Sequence, residues 1–338
     1  MTLRFGILAS SALPFTDSIA IGFSASPYVA AYHWSNGFGT RYADPATTPT
    51  GTVNGVAFNP AKSAILTAHS TSPFTSSYPW STAVGFGTKY SDPGSALAGA
   101  GRACDFSPSG SDVLFGISTT PFVTAYPWSS GFGSKYANPG TLPAGTGSGA
   151  TFASDGATVA LAHITTPFVS AYPWSSGFGS KYANPATLPT GNGQAIAFSP
   201  SSNAVIVAHA TSPRVSAYPW SAGFGTKYAD PSTAIPNTAY GVTFNPAGDV
   251  VAVAHDNSPY ITAYAWSSGF GTKYSNPASL PTTTSGRGVA FNALGTSVAI
   301  AQVDSPYVTA YPWSAGFGTK YANPASPPTD NAVSIAFT

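Results

Sequence analysis

The sequence repeats itself with a period of 46 to 48 residues, which separate consecutive tryptophans along the whole chain. The seven tryptophans are Trp34, Trp80, Trp128, Trp174, Trp220, Trp266 and Trp313. The strings around them are nearly identical, as in "TPFVSAYPWSSGFGSKYANP" and "SPYVTAYPWSAGFGTKYANP", which begin at Thr166 and Ser305. A fixed period of this length restricts the chain to a fold in which one small unit is used many times.

Each unit contains four runs with the composition of β-strands. In the unit that begins at Gly241 these are "GVTF", "VVAVAH", "YITAYAW" and "FGTKYS", which we label a to d. Turn clusters such as "NPAGD" and "DNSP" separate the runs. No segment shows a helical apolar period of useful length. Four short antiparallel strands in a period of about 40–50 residues are typical of a propeller blade. The sequence therefore predicts an all-β, seven-bladed β-propeller with four antiparallel strands per blade.

The two ends of the repeat array complement each other. The last residues, "NAVSIAFT" from Asn331 to Thr338, form a copy of strand a with no b, c or d after it. The first unit has b, c and d ("SIAIGF", "YVAAYHW" and "GFGTRYA") with no good copy of a before them. We therefore predict that the C-terminal strand joins the N-terminal blade and closes the ring. Residues 17–338 would then form one propeller domain, preceded by an N-terminal segment, residues 1–16.

The repeat resembles a known family. The string "GVAFNP", which begins at Gly55, is followed by a hydrophobic strand and then by a strand that ends in Trp. This order resembles the WD-repeat family of β-propellers. The Trp-Asp pair of that family is missing, because Ser follows Trp in every copy. The Gly-His pair ahead of strand a is also missing. The sequence of strands c and d is also similar to propeller repeats of tailed bacteriophages, and this resemblance implies a virion or virus-associated protein.

The expected function follows from that resemblance. We expect a non-enzymatic structural or interaction protein of a tailed-phage particle, associated with the capsid or tail as a surface or attachment protein. Its partners would be other virion proteins or a host-surface glycan. It would be made in the host cytoplasm and be located in the virion. A multivalent carbohydrate-binding lectin is the alternative, since seven equal weak sites would gain affinity through avidity. A propeller hydrolase is a remote alternative.

Composition excludes some classes of partner. Charged residues make up 7% of the chain and the net charge is +1, whereas nucleic-acid binding favours a clustered basic face. No apolar run reaches the ~18 residues of a membrane-spanning helix. The N-terminal "MTLRFGILASSALPF" resembles a signal peptide only weakly, because Ser10, Ser11 and Pro14 interrupt its apolar stretch. We expect no nucleic acid, no membrane insertion and no secretion signal.

Candidate catalytic groups do not form constellations in the sequence. Glycoside hydrolysis usually needs two carboxylates, but the Asp of the "[DN]P" position exchanges freely with Asn between units, which suits a turn. Asp105, in "CDFSP", stands alone, and Cys104 occurs in one unit only. One position at the end of strand b holds His69, His163, His209 and His255. Positions on different blades lie too far apart for one metal ion, so we expect hydrogen bonding to backbone. The sequence predicts no catalytic, metal or cofactor site.

Two sets of residues are candidates for surface contacts. Strand d carries one cation in every unit, which would protect an exposed sheet edge or form a ring that meets an anionic glycan or a neighbouring subunit. These cations are Arg41, Lys89, Lys135, Lys181, Lys227, Lys273 and Lys320. The N-terminal segment is apolar at Leu3, Phe5, Ile7 and Leu8. It would either add to an edge of its own propeller or act as an arm that anchors the chain on another subunit by strand addition.

Overall fold

The computed structural model describes residues 17–338, which contain β-strands, turns and bends but no helix. Among these residues, no helix long and apolar enough to cross a membrane is found. The predicted N-terminal segment, residues 1–16, lies outside the described residues. The same is true of its candidate anchor residues Leu3, Phe5, Ile7 and Leu8.

The 24 strands form seven small antiparallel sheets of three or four strands. Sheet one contains β24 (Ala332–Phe337), β1 (Asp17–Phe23), β2 (Val29–Trp34) and β3 (Phe38–Arg41). Sheet two contains β4 (Val53–Phe58), β5 (Ala64–His69), β6 (Thr75–Ser81) and β7 (Gly85–Phe86). Sheet three contains β8 (Gly101–Phe106), β9 (Asp112–Ile117) and β10 (Val123–Pro127). Sheet four contains β11 (Gly147–Phe152), β12 (Thr158–His163) and β13 (Val169–Pro173).

The remaining three sheets follow the same order. Sheet five contains β14 (Gly193–Phe198), β15 (Ala204–His209) and β16 (Val215–Pro219). Sheet six contains β17 (Ala239–Phe244), β18 (Val250–His255), β19 (Ile261–Trp266) and β20 (Phe270–Lys273). Sheet seven contains β21 (Gly286–Phe291), β22 (Ser297–Gln302) and β23 (Val308–Pro312). The molecule is thus all-β and propeller-like, and the predicted all-β class is confirmed.

One edge strand of each sheet takes part in a ring. These inner strands are β24, β4, β8, β11, β14, β17 and β21, in order around the ring. Each lies beside the next, and β21 lies beside β24, so the ring has no gap. The middle strand of each sheet, such as β18, is buried along its whole length. Its β-branched side chains therefore pack against the neighbouring sheets on both faces, as a strand without a polar face must.

The C-terminal strand occupies the inner position of the first sheet. β24 pairs antiparallel with β1, and Ile19 lies opposite Phe337. The backbone N–H of Ser18 donates to Oγ1 of Thr338 at 2.8 Å. On the other side, Asp17 forms an ion pair with Lys62 of sheet two at 2.9 Å. The two ends of the described chain are therefore joined within one sheet, as the complementary ends of the sequence predict.

The seven tryptophans join neighbouring sheets. Each is 2–7% exposed and meets three aromatic rings edge to face. Trp266, for example, contacts Phe244 and Phe270 of its own sheet and Tyr228 of the preceding one, at centroid distances of 5.2–5.4 Å. Edge-to-face pairs add about 0.5–1.5 kcal/mol each beyond the burial of apolar area. The Trp, Phe and Tyr of the repeat therefore act in packing between sheets.

The outermost run forms a full strand in only some sheets. The backbone N–H of Trp266 donates to the backbone carbonyl oxygen of Asp249, toward the inside of the sheet, at 2.7 Å. Because N–H groups alternate in direction along a strand, the N–H of the preceding residue points outward, toward the outermost run. That residue is His33 in sheet one and Ala265 in sheet six, where four-residue outer strands form. It is Pro79 in sheet two, where the outer strand has two residues. Sheets three, four, five and seven also have Pro there and keep a single bridge between Trp and Phe. Proline has no N–H to donate, so the prediction of four strands in every unit is wrong for these four sheets.

Candidate functional site

A cavity of about 580 Å³ opens at one end of the ring of inner strands, and we call it the mouth. The second residue of each inner strand lines it. These residues are Val333, Asn54, Arg102, Ser148, Gln194, Tyr240 and Arg287. Loops at the same end complete the wall with Ser24, Thr146, Ile164, Val303 and Asn331. The volume lies within the ~300–1,000 Å³ of typical small-molecule sites.

β-Bulges present these side chains to the mouth. In sheet four, Gly147 pairs with His163 and Gly149 pairs with Ala162, so Ser148 between them is the extra residue. The same register shift occurs at the second residue of every inner strand. A bulge re-aims its extra side chain and is common beside active sites. Seven bulges thus turn seven side chains toward one cavity.

Glycine makes the close packing around some of these bulges possible. A Cβ atom at Gly147 would lie 2.5 Å from the carbonyl oxygen of Phe122, and one at Gly286 would lie 2.5 Å from that of Tyr260. Both distances are shorter than a carbon atom tolerates against backbone. The glycine before the bulged residue therefore allows the inner strand to approach the adjacent loop.

The mouth is electropositive. It holds the guanidinium groups of Arg102 and Arg287, and none of its lining residues within the described chain is an aspartate or a histidine. Arg102 is exposed and Arg287 is half-buried. Cζ of Arg287 lies 3.9 Å from the ring centroid of Tyr240, a cation–π contact that holds the guanidinium in place. Low-dielectric walls around charges of one sign raise the local concentration of the opposite ion.

Polar groups at the mouth are held in fixed positions. The Asn54 side-chain amide donates to the carbonyl oxygen of Gly101 at 2.8 Å. Asp304, beside the mouth residue Val303, accepts hydrogen bonds from the backbone and side chain of Thr284 at 2.7 and 2.8 Å. These bonds lower the pKa of Asp304. This carboxylate is therefore bound to the loop of Thr284 and is not among the lining residues of the mouth.

Such an arrangement suits a small anionic molecule. A guanidinium presents a planar fork of donors that matches carboxylate and phosphate oxygens. The amide groups of Asn54 and Gln194 and the hydroxyl groups of Ser148 and Tyr240 supply further donors and acceptors around it. The mouth can therefore bind a polar ligand that carries negative charge, and can stabilise negative charge that develops on an oxygen during a reaction.

The sequence analysis did not single out any of the mouth residues. A signal was present, because the second position of strand a holds six residue types in seven otherwise similar units. Its neighbours on either side are mainly glycine, alanine and valine. A position that varies while the scaffold repeats is typical of a binding surface on a repeat protein. Composition alone did not show that the seven positions face one cavity.

The repeated cations lie on seven different sheets, so the structure does not bring them together. Arg41 pairs with Asp44 at 2.7 Å, and Lys89 and Lys227 pair with Asp92 and Asp230. Lys135, Lys181 and Lys273 donate in the same way to the Asn three residues later. The Asp or Asn side chain thus binds the cation three residues before it in the outer run of the same sheet. The role of these cations and of Lys320 in external contacts stays a prediction.

The histidines at the ends of the second strands have structural partners. His69 lies 2.8 Å from the carbonyl oxygen of Thr71 through Nδ1 and 3.1 Å from Oγ of Ser76 through Nε2. Equivalent contacts to Ser or Thr hydroxyls occur at His163, His209 and His255. Burial lowers the pKa of all four, and that of His209 to about 4. The expected hydrogen bonding to backbone is present at Nδ1 of His69, His163 and His255, whereas, among the described residues, His209 contacts only the Ser216 hydroxyl.

Cys104 and Asp105 lie on β8, below the mouth. Burial raises the pKa of the Cys104 thiol, which therefore stays protonated and is a poor nucleophile. Oδ2 of Asp105 accepts hydrogen bonds from the backbone N–H of Phe152 at 2.9 Å and from the hydroxyl of Thr151 at 3.1 Å. The carboxyl group therefore links β8 to β11 of the next sheet.

Asp105 should make stability depend on pH. Burial raises its pKa to about 6, against the opposing hydrogen bonds from Phe152 and Thr151. Because the folded-state pKa lies above the ordinary value, its stabilising contribution is complete below about pH 4 and is lost as pH rises through about 6. Asp105→Asn should therefore be the more stable protein above pH 6, by about 1–3 kcal/mol. Urea unfolding of both proteins from pH 4.5 to 8 measures this. A stability difference that does not change with pH would contradict it.

Comparisons with known proteins give structural matches only. No protein-family model matches the sequence, and no curated protein matches it. The fold is similar to that of a putative 6-phosphogluconolactonase from Bacteroides uniformis, with 13% identity, 95% of this chain and 99% of that chain covered, and a TM-score of 0.72. A putative 6-phosphogluconolactonase from Bacteroides fragilis is 9% identical, with 95% of this chain and 98% of that chain covered and a TM-score of 0.73. The periplasmic gluconolactonase PpgL from Pseudomonas aeruginosa is 13% identical, with 96% of this chain and 99% of that chain covered and a TM-score of 0.71.

These matches correct the expected function. The sequence analysis expects a non-enzymatic phage structural protein, whereas these three similar structures are named as lactonases, which are hydrolytic enzymes. The interpretation as a non-enzyme is therefore wrong. That interpretation depended on the absence of a carboxylate pair from the repeat. A site formed by different residue types on different sheets would not appear in the repeat sequence. No family match supports the WD-repeat or phage resemblance.

Proposed function

We propose that the chain is a closed seven-bladed β-propeller that hydrolyses an anionic sugar lactone at the mouth. The observation that carries this proposal is the pair of guanidinium groups, Arg102 and Arg287, aimed by β-bulges into one cavity with no acid in its described lining. The likeness to lactonase structures supports the same class of reaction. The expected virion partners, glycan contact and virion location depended on the earlier interpretation and stay untested.

The two arginines suit different roles. Arg287 is half-buried and stacked on Tyr240, so it is held still and can meet the carbonyl oxygen of the reacting ester. Arg102 is exposed at the rim of the mouth, where it can reach an anionic substituent of the sugar. Gln194 and Asn54 lie on other strands of the ring and can orient the lactone hydroxyl groups or the attacking water.

The reaction is addition of water followed by ring opening. The oxygen of a water molecule adds to the lactone carbonyl carbon and loses one proton to a second water molecule, which later returns a proton to the ring oxygen. The negative charge passes to the carbonyl oxygen, where the Arg287 guanidinium stabilises it. The bond from that carbon to the ring oxygen then breaks, the ring oxygen takes up a proton, and a hydroxy acid is released. Preorganised donors at the developing oxyanion usually make the largest single contribution to such a step. The product ionises and releases one proton to solvent.

Turnover of a charged and a neutral lactone tests the proposal. We expect the purified protein to open 6-phosphogluconolactone with a kcat/KM about tenfold to a hundredfold above that for gluconolactone, because a hydrogen bond to a charged group contributes about 1.5–3 kcal/mol. Proton release at constant pH measures both rates, with heat-denatured protein as the control for spontaneous opening.

Two results of this assay would contradict the proposal. One is ring opening no faster than in the denatured control with either lactone. The other is an equal kcat/KM for the two lactones, since Arg102 would then have no anion to recognise.

A further inference from the structure

The two arginines of the mouth lie on opposite sides of the ring of inner strands. Arg102 is on β8 and Arg287 is on β21. Between them stand β4 and β24 in one direction and β11, β14 and β17 in the other. Seven strands in a ring allow no greater separation. Each arginine is also the second residue of its strand, so the two side chains enter the mouth at the same level from facing walls.

The described part of the protein does not neutralise these two charges. Four other basic side chains form ion pairs with aspartate. Within residues 17–338, the guanidinium groups of Arg102 and Arg287 form neither an ion pair nor a hydrogen bond. Three aspartates lie in loops at this end of the ring, but Asp256, Asp304 and Asp330 do not line the cavity. Asp304 and Asp330 accept backbone N–H groups at 2.7 and 2.8 Å. Two uncompensated cations on facing walls favour a ligand with negative charge at each end.

Neutral polar side chains occupy the walls between the arginines. Ser148, Gln194 and Tyr240 lie along one side and Asn54 lies along the other. The side-chain N–H of Asn54 donates to Gly101, so its Oδ1 remains an acceptor. Within the described chain, the side chains of Ser148 and Gln194 make no hydrogen bond and keep their donors and acceptors for a ligand. The remaining lining residues are uncharged, namely Ser24, Thr146, Ile164, Val303, Asn331 and Val333. The middle of the ligand should therefore carry hydroxyl groups and no further charge.

We propose that the mouth binds open-chain sugar acids that carry an anionic group at each end. Arg287, held against Tyr240, binds one end and Arg102 binds the other, while the side chains between them bind the hydroxyl groups. The choice of a sugar acid rests on the proposed function, whereas the two charges rest on the facing arginines. The product of the proposed reaction belongs to this class, because ring opening of a phosphorylated lactone leaves a carboxylate at Arg287 and the phosphate at Arg102.

Calorimetric titration of glucarate and of gluconate into the full chain tests this inference. The two sugar acids share one carbon chain and differ only at its far end, which is a carboxylate in glucarate and a hydroxymethyl group in gluconate. Neither contains a lactone, so binding is measured without turnover. We expect the Kd of glucarate to be about tenfold to a hundredfold lower, because hydrogen bonds to charged groups are the stronger ones. Equal Kd values for the two acids, or no binding of glucarate, would overturn the proposal.

Single variants locate the two charges. In Arg102→Gln and in Arg287→Gln one guanidinium remains, so glucarate and gluconate should bind with nearly the same Kd. Lys320→Gln, which removes a cation outside the mouth, is the matched control and should keep the wild-type preference. A preference for glucarate that persists in both arginine variants would contradict the proposal, because its second carboxylate would then bind elsewhere. The comparison in the wild-type protein does not depend on any variant folding.

The binding and turnover assays separate this inference from the proposed function. A protein that prefers glucarate but opens neither lactone would support the facing arginines as a site for doubly charged ligands and would contradict hydrolysis at the mouth. A protein that opens 6-phosphogluconolactone but binds the two sugar acids equally would contradict the inference and leave the hydrolysis standing.

Discussion

Deletion of Asn331 to Thr338 should abolish soluble, cooperative folding. The deletion removes all of β24, which supplies five residue pairs to β1 and lies between β21 and β4 in the ring. It leaves an unpaired strand edge in sheet one and takes the Phe337 ring away from Trp34, 5.0 Å distant. Domains are stable by only about 5–15 kcal/mol, and loss of a whole inner strand exceeds that. A truncated chain that melts like the full protein would show that β24 is not needed to close the ring.

A matched pair of substitutions tests the same strand without truncation. Ala332 is fully buried against the core of sheet one, whereas the adjacent Val333 faces the mouth. Ala332→Asp places an unpaired charge in the core and should cost about 3 kcal/mol or more. Val333→Asp should cost much less, because water reaches the new carboxylate. Thermal unfolding of both proteins measures the difference. Equal destabilisation would mean that the two side chains do not face opposite environments.

Much of the fold could be predicted from the period of the sequence. Trp every 46 to 48 residues fixed the number of sheets, and the isolated copy of strand a at the C-terminus predicted its pairing with the first unit. The repeat sequence alone did not predict which sheets have an outer strand, since "YPW" and "YAW" occupy the same position of the repeat. The proline in "YPW" removes a backbone N–H that faces the outer run next to the Trp. A single residue therefore decides whether a strand or a bridge forms.

The candidate site was harder to predict, because the repeat hides it. Arg102 and Arg287 are separated by 185 positions along the chain and share no local motif. They line one cavity only because each is the extra residue of a bulge at the same end of an inner strand. The conspicuous residues are the seven tryptophans, which pack between sheets, and the seven repeated cations, six of which pair with an Asp or Asn three residues later. In a closed ring, unlike residues at equivalent positions mark the site.

Removal of both mouth arginines should have the largest effect on activity, and the single variants should affect different kinetic constants. Loss of a donor to a developing oxyanion costs about 10²–10³ in rate, so Arg287→Gln should lower kcat by that factor. Arg287→Lys should restore little, because an ammonium group lacks the planar fork of the guanidinium. Arg102→Gln should mainly raise KM for the phosphorylated lactone, by about tenfold. Neither arginine lies in the packed core between sheets, so the melting temperature should change little.

The most direct test of the mouth as the site is the rate of lactone opening by the double variant Arg102→Gln/Arg287→Gln. Its matched control is Lys320→Gln, which removes a cation from the outer edge of sheet seven. At equal protein concentration and pH, the double variant should open 6-phosphogluconolactone no faster than heat-denatured protein, while it melts like the wild type. The Lys320→Gln protein should keep the wild-type rate. A folded double variant that retains the wild-type rate would show that hydrolysis does not occur at the mouth.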